Sequence, residues 1–186
     1  MRIIAGQYRS RPLRSLRGLD IRPTSDRLRE TLFNVLTAGN PAALSGSTWL
    51  DLFAGTGAVG IEALSRGAAR VVFVEKSAAA VSVIRENLAS LDITAGFEIL
   101  QSAVARVLNR ASTAAANFIF LDPPYNDAGA YRSTLEALSS SPNLSDSTVV
   151  IAEHDKKFEP GETFAGLLRF RKLQQGDAAL SFYRRR

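Results

Sequence analysis

Three acids at the ends of apolar runs are where this chain can do chemistry. Thr48-Trp49-Leu50-Asp51-Leu52 reads as a buried strand, and Phe53-Ala54-Gly55-Thr56-Gly57 leads from it into Ala58-Val59-Gly60 and a helix expected over 58–66. Glycines there let backbone approach a ligand, and a helix N-terminus presents free N–H groups, so the stretch is a nucleotide-cofactor turn. Glu75 ends the next apolar run, Arg70-Val71-Val72-Phe73-Val74. Asp122-Pro123-Pro124-Tyr125 follows a later one, Phe118-Ile119-Phe120-Leu121.

To bring these acids together, their strands must end at one edge of one sheet. Strands are expected over 48–52, 70–75, 97–100, 117–121 and 148–152, with helices over 58–66, 78–90, 103–111 and 131–139. Apolar strands alternating with helices indicate a parallel sheet covered on both faces, which binds ligands at the carboxyl ends of its strands. Phe164 to Leu173 and Ala178 to Tyr183, joined by Gln174-Gln175-Gly176-Asp177, read as an antiparallel hairpin. Upstream, Arg2-Ile3-Ile4-Ala5 and Arg11-Pro12-Leu13-Arg14-Ser15-Leu16 suggest a small basic hairpin. Thr24-Ser25-Asp26 then caps a helix to about Thr37, with Leu28, Leu32, Phe33, Val35 and Leu36 on one face. A junction near Ser45-Gly46-Ser47 divides the chain into a basic extension, 1–45, and a cofactor-binding domain, 46–186.

Charge is concentrated in that extension. The 186 residues carry a net charge of +5; the first thirty hold eight arginines against three acids, and the other 156 balance at fifteen of each sign. Arginines loaded at one end suit bidentate phosphate contacts with a polyanion. With no cysteine and one histidine, His154, neither disulfides nor a metal site is expected, and His154 beside Glu153 reads as local structure. Residues 1–6 lack the apolar core of a signal peptide, and no apolar run approaches the roughly 18 residues that span a bilayer. A cytoplasmic protein without a membrane partner is expected.

Gly55-Thr56-Gly57-Ala58-Val59-Gly60 matches G-x-G-x-x-G, with Glu75 near the place of a ribose-binding acid, so a nicotinamide-dinucleotide enzyme is one reading. Asp51, four residues before the first glycine, and the later Asp122 motif point elsewhere. Together they resemble the class I S-adenosylmethionine-dependent methyltransferases. The resemblance implies a Rossmann-like α/β fold with a mostly parallel seven-stranded sheet, a C-terminal antiparallel hairpin and the small hairpin-helix extension. It implies that Asp51, Phe53, Ala54, Gly55, Thr56 and Gly57 wrap the amino-acid part of S-adenosylmethionine, that Glu75 and Lys76 hold the ribose, and that Ser102 and Ala103 meet the adenine. Ala103 stands where many class members place an acid, which leaves adenine to backbone and Ser102. The carboxylates suit the cofactor's charge, because its sulfonium and ammonium are cationic and it has no phosphate to repel them.

Asp122-Pro123-Pro124-Tyr125 resembles the motif of methyltransferases that act on exocyclic amino groups of bases. Such an amine is a poor nucleophile while its lone pair is delocalised into the ring. The Asp122 side chain and Pro123 carbonyl, both aimed at its hydrogens, would draw it out of conjugation; Pro123 and Pro124 stiffen the turn, and Tyr125 can stack on the base. Catalysis would be mostly positioning, on a base that is unpaired or flipped out.

Arg2 to Gly6, Arg22 to Asn34, Asp51 to Gly67 and Asp122 to Tyr125 together resemble the RsmD family of bacterial small-subunit ribosomal RNA guanine-N2 methyltransferases. The similarity runs from residue 2 to the closing hairpin. It implies methylation of one guanine of 16S rRNA, at 966 in the family's naming, within the small subunit, by a monomer that releases S-adenosylhomocysteine. Arg9, Arg11, Arg22, Arg27 and Arg29 are the candidates for rRNA phosphates, and Arg184-Arg185-Arg186 reads as a solvated tail. Ala5 stands where the family has a second glycine, and Ala178 where it has threonine after Gly176-Asp177. Alternatives are a DNA adenine-N6 methyltransferase, which usually carries a sizeable target-recognition domain, and a non-catalytic RNA-binding assembly factor.

Overall fold

The computed structural model describes residues 1–16, 25–108, 115–124 and 127–186. Alternating strands and helices build one sheet of eight strands rather than the expected seven, because a two-residue strand joins its edge, in the order β3-β2-β1-β4-β5-β8-β7-β6. Its parallel part is β1 (Thr48–Leu52), β2 (Arg70–Glu75), β3 (Phe97–Gln101), β4 (Phe118–Leu121) and β5 (Val149–Asp155). An antiparallel β7 (Leu167–Gln175) and β8 (Ala178–Arg185) follow, with β8 on β5 and the two-residue β6 (Thr163–Phe164) on β7. The hairpin thus begins and ends later than its apolar pattern suggests. Arg184 and Arg185 lie inside β8, and just past its end the Arg186 N–H donates to the Gly166 carbonyl at 2.8 Å, so the backbone of these exposed residues is pinned to the sheet rather than forming a free tail.

Helices α2 (Ala58–Ser65), α3 (Ala78–Ser90), α4 (Val104–Leu108) and α5 (Ala128–Ser139) connect the parallel strands. The reading of a helix over 103–111 can be compared only to Leu108, because 109–111 lie outside the described residues. Helix α5 begins three residues before the apolar spacing indicates, because the Asp127 side chain accepts from the Ala130 N–H at 2.9 Å and caps it there. In front of the sheet stands α1 (Asp26–Thr37), capped by Ser25, whose Oγ accepts from the Leu28 N–H at 3.1 Å.

Two apolar layers sandwich the sheet. One joins Ile3, Leu13, Leu28, Leu32, Phe33 and Leu44 to Trp49, Phe118, Ile151 and Phe182, and Phe33, Trp49 and Phe118 stack in sequence at 5.4 and 4.7 Å. The other packs α4 and α5 against Leu50, Leu52, Ile119, Leu121 and Val150. Residues 1–16 cross the first layer as a strap whose ends pair through one bridge, Arg2 with Pro12. The buried Glu62 of α2 holds the strap by accepting from the Ile4 and Ala5 N–H groups at 2.8 and 3.0 Å. No helix is long and apolar enough to cross a membrane among the described residues.

Candidate active site

Strands β1, β2 and β4 are neighbours, so their carboxyl ends bring Asp51, Glu75 and Asp122 to one edge. The Asp122 N–H reaches the Leu52 carbonyl at 3.4 Å and the Ala54 N–H the Val74 carbonyl at 3.1 Å, which tie the turn after β1 to both flanking strands. Gly57 opens α2 with φ of 76°, and a Cβ there would press on Ile84 at 3.2 Å and Phe73 at 3.3 Å. A Cβ at Gly60 would lie 2.3 Å from the Phe73 ring, so glycine there lets α2 lie against β2. Gly55 differs: its φ is 54°, yet a Cβ would find only the Phe53 carbonyl, at 3.9 Å. The turn is therefore packed behind and open in front.

Asp51 is buried at 2% exposure, and one of its oxygens accepts from the Gly60 N–H at 3.0 Å. Burial pushes its carboxyl up to about 8; the Gly60 N–H opposes that shift and the charge of Glu75 adds to it. Glu75 is half-buried and accepts from the Gly55 N–H at 3.0 Å and the Ser77 N–H at 2.8 Å. Each of its oxygens keeps a further lone pair for a hydroxyl donor. The Ser102 N–H donates to the Glu75 carbonyl at 3.1 Å, which sets Ser102 and exposed Ala103 beside that acid; Lys76 is exposed, and Phe53 holds a strained φ of 58° at the start of the turn.

Asp122 is half-buried, and its carboxyl is raised well above the ordinary range, first by burial, then by the charges of Glu153 and Asp51. Pro123 is buried and Pro124 exposed; Tyr125 lies outside the described residues. Three further residues serve this edge that sequence reasoning did not single out. Glu153, 2% exposed at the end of β5, crowds Asp122. The buried Tyr131 places its hydroxyl 3.2 Å from the Pro123 carbonyl oxygen and 2.9 Å from that of Glu153. Asn87 donates from Nδ2 to the Thr56 carbonyl at 3.0 Å and to the Arg14 carbonyl at 3.2 Å, joining the strap to the turn. A strand-end acid on the strand beside Asp122 was a readable signal for Glu153; Tyr131 and Asn87 carry no local signal. His154 is buried between the Asp155 carbonyl and Ser181 Oγ, at 2.8 and 2.9 Å, and burial lowers its pKa.

The arginines expected at phosphates divide. Arg9 and Arg27 are exposed and have no carboxylate partner among the described residues. Arg11 is exposed, but its Nη2 donates to the Ser90 carbonyl at 2.6 Å. Arg22 lies outside the described residues. Arg29 must be corrected: it is 0% exposed, bonds Asp26 at 2.9 Å and the Arg2 carbonyl, and lies 3.8 Å from Glu62, so it cannot reach a phosphate. It is a clip between α1, the strap and α2.

Residues 51–65 contain no lysine or arginine, while Asp51 and Glu75 face the turn. The turn itself offers a pyrophosphate no cationic side chain, whereas a cationic cofactor with ribose hydroxyls finds acceptors in Asp51 and Glu75. No group of three histidine, cysteine, aspartate or glutamate side chains among the described residues could hold a metal ion.

Sheet order, open glycine turn and adjoining Asp-Pro-Pro define a class I methyltransferase fold. Ribosomal RNA small subunit methyltransferase D of Escherichia coli K12 is 34% identical over 155 residues, 83% of this chain and 75% of the relative. YlbH of Bacillus subtilis is 34% identical over 188 residues, 100% of both chains. The solved structure of yhhF from Escherichia coli superposes with a TM-score of 0.84 at 35% identity, covering 100% of this chain and 97% of that one. The chain belongs to the RsmD family, described as conserved hypothetical protein 95, which matches residues 1–184.

Proposed function

We propose that this chain transfers a methyl group from S-adenosylmethionine to the exocyclic N2 amine of one guanine in 16S rRNA of the small ribosomal subunit. The observation that carries the reading is the adjacency of β1 and β4, which puts Asp122-Pro123 against the open turn, close enough for the charge of Asp51 to bear on Asp122. The name of the Escherichia coli relative supports ribosomal RNA as the substrate.

S-adenosylmethionine supplies an electrophilic methyl group on a cationic sulfonium. Asp51 sets the field at the turn, since a buried carboxyl held near 8 is drawn to its ionised form by a neighbouring cation. Glu75 accepts ribose hydroxyls with the lone pairs that Gly55 and Ser77 leave free. Ser102 and the backbone at Ala103 meet the adenine. Asp122 and the Pro123 carbonyl would accept hydrogen bonds from the two hydrogens of the target amine, turning its lone pair toward the methyl group. The proton the amine loses on methylation would pass through Asp122 to solvent, S-adenosylhomocysteine is the leaving group, and Tyr125 would stack on the base. Residues 1–45 form the RNA-contacting extension, with Arg9, Arg11 and Arg27 at phosphates, and residues 46–186 form the cofactor domain.

The test is methyl transfer from labelled S-adenosylmethionine to undermethylated small subunits, naked 16S rRNA and duplex DNA, followed by nucleoside analysis. N2-methylguanosine is the expected product. N6-methyladenine in DNA would refute the substrate assignment, and absence of transfer to every acceptor despite cofactor binding would refute catalysis.

A further inference from the structure

The β7–β8 hairpin carries surface for which the cofactor site has no use. Arg169 pairs with Tyr183 and Arg171 with Phe182, so Phe170 is an extra residue in β7, a β-bulge that re-aims its ring. The ring is 46% exposed, 6.2 Å from that of Phe182, and the Arg184 guanidinium carbon lies 4.3 Å over it. Leu168, opposite Arg184, is 43% exposed; these two are the exposed large hydrophobic residues among those described.

The hairpin's cations sort by face. Directly paired residues on antiparallel strands project to the same side. Arg169 opposite Tyr183, Lys172 opposite Ser181 and Arg185 opposite Leu167 share one side, and each meets a carboxylate. Arg169 meets Glu159 and Glu162, Lys172 meets Glu159 at 2.8 Å, and Arg185 meets Asp146 at 3.4 Å. Arg171 and Arg184 share the Phe182 side with Phe170 and have no carboxylate partner among the described residues. Charges that only protect an edge strand from pairing have no reason to segregate in this way. Phe182 belongs to the same apolar layer as Leu28, Leu32 and Phe33, so the unpaired side is the one α1 covers, and α1 exposes Arg27.

We propose that Phe170, Leu168, Arg171 and Arg184 form a second RNA-binding surface for an unpaired segment of the substrate. One base extends the stack over the Arg184 guanidinium that caps the Phe170 ring, and phosphates meet Arg171 and Arg184. An aromatic ring, stacked guanidinium and uncompensated cations match a polyanion that offers π-faces; a neutral apolar protein partner would leave both arginines unpaired. This surface rests on the reading of the chain as an rRNA methyltransferase.

The test is equilibrium binding of wild type, Phe170→Ala, Phe170→Trp, Arg171→Gln and Arg184→Gln to naked 16S rRNA and to undermethylated small subunits, with wild-type methyl transfer measured alongside. Phe170→Ala and Arg184→Gln are expected to bind both RNAs about tenfold more weakly, with Phe170→Trp at wild-type strength. Arg171→Gln and Arg184→Gln should each lower the salt slope by about one. Unchanged thermal midpoints and cofactor affinities verify that the variants are folded. Wild-type binding by Phe170→Ala, beside a wild-type enzyme that methylates, overturns the surface and leaves the enzyme reading intact. Weakening on protein-bearing subunits alone assigns the surface to a protein and overturns it too. A wild-type chain that neither binds nor methylates RNA brings down both.

Discussion

The Tyr131 hydroxyl stands 3.2 Å from the Pro123 carbonyl oxygen and 2.9 Å from that of Glu153, so one buried side chain of α5 braces the turn after β4 against the end of β5. A carbonyl has two lone pairs, and this contact leaves one for an incoming amine. Removing the hydroxyl should loosen the carbonyl without touching the cofactor turn. Tyr131→Phe is expected to lower kcat about tenfold while cofactor affinity stays at the wild-type value. Steady-state kinetics with S-adenosylmethionine varied, alongside calorimetric cofactor binding, check this; an equal loss in cofactor affinity would contradict it.

Asp51 ties cofactor binding to pH. Its carboxyl is raised in the folded chain to about 8, against about 3.9 unfolded, so between those values the folded state holds the extra proton. The stability contributed by this group is fully present below the unfolded value and is lost as pH rises to about 8. A cationic ligand favours the carboxylate, so cofactor affinity should rise with pH and level off above about 8, with proton release on binding below it. Asp51→Asn keeps an acceptor for the Gly60 N–H and removes the buried charge. It should melt higher than wild type at pH 8, bind S-adenosylmethionine more weakly and lose the pH dependence, as thermal melts and titrations at pH 6 to 9 will show.

Gly60 and Gly55 should fail in opposite ways. A Cβ at Gly60 meets the Phe73 ring at 2.3 Å and Val71 at 2.7 Å, so Gly60→Ala is expected to cost about 1–3 kcal/mol in denaturant unfolding. A Cβ at Gly55 meets no atom closer than 3.9 Å and faces the open side of the turn. Gly55→Ala therefore carries only the backbone cost of its positive φ, about 1–2 kcal/mol, and its larger effect is lost cofactor affinity.

Arg29 and Arg27 separate fold from RNA contact. Arg29 is buried against Asp26, Glu62 and the Arg2 carbonyl, and its loss leaves the buried Glu62 one cation, Arg66, beside the Ile4 and Ala5 N–H groups. Arg29→Ala should destabilise the chain by about 3–5 kcal/mol. Exposed Arg27→Ala should stay within about 0.5 kcal/mol and instead weaken rRNA binding. Urea melts and filter binding on the same preparations distinguish the two.

The site's frame was legible because strand-end acids and glycines leave local marks: Asp51, Glu75 and Asp122 each close an apolar run, and parallel strands gather their ends. Arg29 shows where charge misleads. It precedes Leu32 and Phe33 by three and four residues, so helical spacing alone puts it on the buried side of α1, but a basic segment reads as solvated unless its partner is known. That partner, Glu62, sits in another helix. Tyr131 and Asn87 escaped notice for the same reason, since each acts on a backbone carbonyl far from it in sequence. Arg184 and Arg185 resembled a tail because nothing local marks their pairing with β7.

The most direct measurement compares wild type with Asp122→Ala in methyl transfer to undermethylated small subunits, with S-adenosylmethionine binding measured on both. If Asp122 and the Pro123 carbonyl orient the target amine beside the cofactor, wild type yields N2-methylguanosine, whereas Asp122→Ala binds cofactor yet loses about a hundredfold or more in rate. An Asp122→Ala enzyme that methylates guanine at the wild-type rate would contradict that role.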